Sequence, residues 1–404
     1  MEKREVYFDN SATTRAFDEV RDIVAETMTV DYGNTSSRHM KGVEAENYIK
    51  TAREEIAKTL KVKDKEILFT SGGTESNNLA LIGTALANKR AGNHIIPSCV
   101  VHASIYNTTA FLEELGFRVT YLPVDQYGRI RLDALKEALC EDTILVSIMY
   151  VNNEVGSVQP IQEAASIVKA YNKDILFHVD AVQGFGKYKI YPKKMGIDML
   201  SVSGHKIHGP KGMGALYCRK GVWPQNLIDG GSQEARHRAG TENVAGIAAM
   251  GKALEIATAH LDERMAHESE LRDYVIDRVL KNIPEARLNG GLEHRLPGNV
   301  NISFPGLEGE TILLDLDMHG ICASTGSACN SDSLDPSHVL LSIGVPEEIG
   351  HGSMRFTFGP QNTMEEAKYL CDVLEEVIPR RRAMSCMWLQ GQNTARQFSL
   401  KGEQ

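Results

Sequence analysis

From about residue 65 the chain alternates short apolar runs with longer amphipathic stretches. EILFTSGG, HIIPSCV, RVTYLPVD, TILVSIMYVN, ILFHVDAVQ, MLSVSG and GALYCR read as strands, and helical spacing starts at Thr74 and again at Ala103. Strands alternating with helices predict an α/β fold built on a mostly parallel, helix-covered sheet. Polar residues stand just after several apolar runs, where such sheets gather their ligands.

Between roughly Asn243 and Asn282 the apolar residues recur at helical spacing, which predicts one long helix or a helix pair. The boundary between two domains is expected inside it. After Pro284 a second unit begins, with a strand at NVNISF, a helix from about Glu308 to His319 and a last helix around Met364 to Val377. From Arg380 to Gln404 the chain is rich in Arg, Gln and Ser without steady periodicity, and a flexible tail is expected there.

Length and charge narrow the function. The 404 residues suit a large and a small domain, and 44 basic against 53 acidic residues give a net charge of -9. With no long basic run, nucleic acid is not the expected ligand. MEKREVYFDNSATT lacks an apolar signal core, and no stretch approaches the roughly 18 apolar residues of a membrane span, so a cytoplasmic protein is expected. The seven cysteines are odd in number and scattered, with no C-x-x-C spacing. That fits reduced thiols, with neither a disulfide framework nor a metal site.

Lys206 follows a strand in SVSGHKIHGPKGMGALY, flanked by Gly204, Gly209 and Gly212. A lysine there can form a Schiff base if its neighbours lower its pKa, though by itself a lysine in a Gly-rich turn is ordinary. Asp180, in HVDAVQ, ends another strand, where a carboxylate can face a protonated pyridine nitrogen or merely cap a helix. Gln183 stands one turn further on. In TSGGTESNN, Gly72 and Gly73 end a strand and Thr74 opens a helix, the geometry of a phosphate cradle. Each signal is weak, but their order along the chain makes them strong together.

In that order, and in YFDNSATT, GNTSSRHMKG, TSGGTESNNLAL, VNNEVG, HVDAVQ, SGHKIHGPKG, RAGTEN and STGSACNSDSLDPSHVL, residues 5 to 378 resemble the NifS/IscS-type cysteine desulfurases. These belong to the class V group of fold-type I pyridoxal-phosphate enzymes. The resemblance implies a large domain (15–258) with a mostly parallel seven-stranded sheet and a smaller α+β domain (1–14 with 259–379). A tail covers 380–404. It implies pyridoxal 5'-phosphate as cofactor, carried on Lys206, with Asp180 on the ring nitrogen, Gln183 on the ring hydroxyl, His102 stacked on the ring and Asn153 beside it. Gly73, Thr74, Ser203 and His205 would surround the phosphate. Thr241 would reach the phosphate of a partner subunit, implying a homodimer with shared active sites.

Cys329 lies among small and polar residues in ASTGSACNSDSLDPSHV, which reads as an exposed loop, whereas Cys218 in ALYCR reads as a buried small hydrophobe. By the resemblance, Cys329 takes sulfur from L-cysteine as a persulfide, releases alanine and passes the sulfur to an acceptor protein, an iron–sulfur scaffold among the candidates. Arg355, in GSMRFTFG, matches the substrate carboxylate with its fork. Asn34 and His39 are weaker candidates for the substrate mouth. Thr35 and Thr357 depart from the family's proline and serine, and the tail, with Cys386, does not resemble the ending through which housekeeping members dock a scaffold. A selenocysteine lyase or a class V aminotransferase would share Lys206 and Asp180 without needing Cys329. A sulfur carrier with a degenerate site would not need the full set of Lys206, Asp180, His102 and Cys329.

Overall fold

The larger sheet has seven strands in the spatial order Ile67–Thr70, Gly214–Cys218, Met199–Ser203, Leu176–Asp180, Thr143–Met149, His94–Pro97 and Arg118–Val119. Only Gly214–Cys218 runs against its neighbours; the remaining pairs are parallel. Every residue of Thr143–Met149 and of Met199–Ser203 is buried, the consequence of a parallel sheet covered on both faces. This computed structural model describes residues 5–222, 224–326, 337–385 and 388, so Cys329 and Cys386 lie outside the described residues.

Helices Asp18–Thr29 and Met40–Leu60 pack on Val244–Ala259. A Cβ at Gly251 would stand 2.6 Å from that of Ala52, so this crossing needs glycine. The predicted long helical stretch is a pair: Val244–Ala259 ends at His260, whose backbone leaves the helical region (φ -125°, ψ 41°), and Leu261–Asn282 follows.

The second sheet is antiparallel, in the order Ser324–Thr325, Ser353–Thr357, Asn299–Ser303 and Arg287–Leu288. Its apolar face packs against Leu261–Asn282, Gly309–Met318 and Met364–Met384 through Val275, Val300, Ile302, Ile312, Phe356 and Leu374. Val6 and Phe8 from the start of the chain complete this core, and Val6–Tyr7 pairs in parallel with Ile321–Cys322.

The last helix corrects the sequence reading. It runs through Pro379 to Met384, past Val377, where the sequence predicts its end, and past Arg380, where the sequence predicts the start of a flexible tail. An internal proline removes one helical hydrogen bond and normally ends a helix. Here the final turn is docked: Arg381 forms two bonds to Asp315 at 2.6 and 2.7 Å, and Arg382 donates to the Pro284 carbonyl at 2.5 Å and lies over the Trp388 ring. Both Val377 and Ile378 are fully buried.

Arg382→Ala strips the donor from the carbonyls of Pro284 and Pro305. A loss of about 1–3 kcal/mol of unfolding free energy is expected, seen as a lower urea midpoint, and an unchanged midpoint would show that the Arg382 contacts contribute nothing.

Candidate active site

At the carboxyl ends of the central strands a pocket of about 550 Å³ opens between the two sheets. Gly73, Thr74, His102, Asn153, Asp180, Gln183, Ser203, His205, Lys206 and Arg355 all line it, although they come from distant parts of the chain.

Lys206 closes the 3₁₀ turn Gly204–Lys206 that follows strand Met199–Ser203, a turn fastened by Gly204 N donating to Met213 O at 2.9 Å. Its Nζ donates to the carbonyls of Ser11 and Ala12 at 2.5 and 2.6 Å. Asp180, on the last residue of Leu176–Asp180, is buried and oriented. Its Oδ2 accepts from Asn77 Nδ2 at 2.8 Å and its Oδ1 from Val182 N at 3.1 Å.

His102 caps helix Ala103–Glu114, its Nδ1 accepting from Ser104 N at 3.1 Å. Burial holds the imidazole below its usual value, aided by Lys206 and opposed by Asp180. Because Nδ1 acts as acceptor, the neutral ring carries its proton on Nε2 and presents a donor there. His205 is pushed down to about 4 by burial, with Lys206 and Lys211 adding to the effect, so both pocket histidines are neutral near pH 7.

The Gly72–Gly73 turn needs its glycines. A Cβ on Gly73 would stand 2.7 Å from Val182 Cγ2, and one on Gly214 would meet Gly72 Cα at the same distance. Helix Gly73–Asn78 then continues through a π-helical turn, Leu79–Gly83, into Thr84–Asn88, aiming its amino end at the pocket.

Arg355 projects from Ser353–Thr357 and is only 3% exposed. One Nη donates to the Asn153 carbonyl at 3.1 Å and the other to Asp9 Oδ1 at 2.9 Å. Gln183 Nε2 donates to Ser11 O at 3.0 Å, whereas Gln183 Oε1 and Ser11 Oγ are buried without a hydrogen-bond partner among the described residues. Unpaired buried acceptors beside a polar cavity are what a hydrogen-bonding ligand would satisfy.

Thr241 stands elsewhere, in a separate cleft with Ser71, Gly212, Arg238 and Glu242. Asn34 folds back on its own loop, its Oδ1 accepting from Ser36 N at 2.9 Å, and His39 precedes helix Met40–Leu60 without capping it by its side chain. Within one chain these three residues are not brought to the pocket. Conversely, Asp9, Ser11, Asn77 and Ser104 were not singled out in the sequence, yet all four line it. The clusters FDNSATT and TESNN, dense in short polar side chains, were the available signal.

The aminotransferase class-V family model matches residues 6–370. A protein named cysteine desulfurase IscS from Dictyoglomus turgidum is 52% identical over 383 residues, covering 95% of this chain and 97% of its own length. Its namesake from Clostridium botulinum (strain Hall) is 49% identical over 387 residues, at the same coverages. A solved structure titled NifS-like protein superposes with a TM-score of 0.88 at 40% identity, over 93% of this chain and 100% of its own. With a family match spanning nearly the whole chain and relatives at about half identity, this chain belongs to the aminotransferase class-V family.

Proposed function

We propose that this protein is a pyridoxal-phosphate-dependent cysteine desulfurase. It converts L-cysteine to L-alanine and leaves the sulfur on Cys329 as a persulfide. The observation that carries the reading is the convergence of Lys206, Asp180, Gln183 and His102 with Arg355 in one pocket, in a chain about half identical to proteins named cysteine desulfurase.

The residues present suit the cofactor. Lys206 would bond its aldehyde carbon, Asp180 its ring nitrogen and the unpaired face of Gln183 its ring hydroxyl, with His102 on the ring and Asn153 beside it. Gly73, Thr74, Ser203 and His205 would hold the phosphate. Thr241, which stands apart in the single chain, fits a residue delivered to a second copy's site in a homodimer. Pyridoxal phosphate, when bound, supplies an electron sink for charge developing at the substrate α-carbon.

The chain's own residues then divide the work. Arg355 takes the substrate carboxylate with its fork, exchanging the contact it now makes with Asp9. Lys206 is placed to move the proton at the α-carbon, and Asp180, oriented by Asn77, would face the ring nitrogen. The Cys329 thiolate attacks the substrate sulfur. A sulfur–sulfur bond forms, the carbon–sulfur bond breaks and its electron pair stays on carbon, which gains a proton to give alanine. The persulfide sulfur leaves for a thiol on an acceptor protein, an iron–sulfur scaffold or another thiolation partner.

Cys329→Ala is expected to abolish alanine and sulfide formation from cysteine while retaining the visible absorbance of the bound cofactor. Undiminished alanine release would sink the persulfide route, and amino transfer to an added keto acid would favour an aminotransferase instead. Arg355→Lys keeps the charge but loses the fork. The KM for cysteine should rise roughly ten- to hundredfold, in line with the ~1.5–3 kcal/mol of a charge-assisted bond, and an unchanged KM in steady-state assays would remove Arg355 from substrate binding.

A further inference from the structure

Glu154 is a buried titratable group that the proposed reaction leaves without a role. It follows Asn153 in the turn after strand Thr143–Met149 and is 4% exposed. The turn does not need its carboxyl: Asn152 Oδ1 accepts from both Glu154 N and Val155 N at 2.9 Å. Burying a carboxyl group costs free energy unless a partner recovers it. The partner is Ser337, whose hydroxyl donates to Glu154 Oε2.

Ser337 is the first described residue after the segment that contains Cys329. Its Oγ also accepts from Val339 N at 3.1 Å, capping the short helix His338–Ser342. That helix is seated independently: Val339, Leu340 and Ile343 pack with Val100 and Val155, and His338 Nε2 donates to Val101 O at 3.1 Å, next to His102. On the other side of the Cys329 segment, Gly326 N donates to Ser353 O at 2.9 Å, and Ser324 stands opposite Arg355 in the sheet. The backbone of the Glu154 turn reaches this same sheet. Its carbonyl accepts from Asn299 and Asn301 at 3.1 Å, and the Asn153 carbonyl accepts from Arg355.

We infer that Glu154 is a positioning residue for sulfur transfer, fixing through Ser337 the point where the chain returns from Cys329 relative to the turn that holds Arg355. The inference rests on the reaction proposed above. Burial pushes the Glu154 carboxyl up to about 7, with Ser337 and Arg355 pulling against it, so a neutral side chain of the same shape can stand in for it.

The test uses holoenzyme of four variants: Glu154→Ala, Glu154→Gln, Ser337→Ala and the double alanine. In Glu154→Ala and Ser337→Ala, kcat for alanine release should fall roughly ten- to hundredfold, the scale of an ångström-level misplacement. The KM for cysteine should stay within about twofold because the Asn153–Arg355 contact is to backbone. Glu154→Gln should restore kcat, and the double variant should be no slower than the slower single one. A purely structural role would shift KM and cofactor absorbance together. Unchanged kcat in either alanine variant, or multiplicative losses in the double one, overturns the inference while wild-type turnover leaves the reaction standing. Failure of the wild-type protein to form alanine from cysteine overturns both.

Discussion

Arg355 reaches out of the antiparallel sheet to the Asn153 carbonyl on one side and to Asp9 on the other. A guanidinium that is 3% exposed requires such partners, because an unpaired buried charge costs several kcal/mol. To supply them, the fold must bring a turn of the large sheet, a strand of the small sheet and the first residues of the chain to one place. That place is the pocket. On the proposed reading, a substrate carboxylate would replace Asp9 on the fork without stranding the cation.

The first residues act as a connector between the two units. Phe8 belongs to the core of the small sheet, Asp9 pairs with Arg355, and the carbonyls of Ser11 and Ala12 hold the Lys206 amine. Thr14 then binds the His205 carbonyl at 3.0 Å through its N–H and at 2.8 Å through its hydroxyl. Nothing in YFDNSATT shows amphipathic periodicity, because its residues are placed by hydrogen bonds to other segments and not by a repeating apolar face. This is why Asp9 and Ser11 escaped a reading based on pattern, along with Asn77 and Ser104, whose roles lie in orienting Asp180 and His102.

What was legible follows the same logic. Strands buried on both faces write themselves as apolar runs, so the central sheet and the strand-end positions of Asp180 and Lys206 could be read directly. The end of the last helix could not, because Pro379 carries a strong local stop signal that the Asp315 and Pro284 contacts override from far along the chain. Thr241 and Asn34 were read from resemblance alone, and a single chain leaves them away from the pocket.

Thiol placement separates packing from chemistry among the cysteines. Cys218 is wholly buried in its strand and burial pushes its thiol far up, while Cys371 in the last helix is pushed up to about 12 by the same cause. Neither forms a thiolate near neutral pH, and the thiolate is the nucleophile. Cys140 behaves differently, since the bonds from Thr143 and Arg118 outweigh burial and bring it below its usual value. It lies next to strand Thr143–Met149 at the amino end, however, whereas the pocket forms where Met149 ends that strand. A thiol serving Lys206 must arrive at the carboxyl ends. Of the two chain ends that border the Cys329 segment, Gly326 is hydrogen-bonded to the strand of Arg355, and Ser337 to the turn that accepts from Arg355. Both described residues that flank that segment are therefore tied to elements in contact with the same arginine.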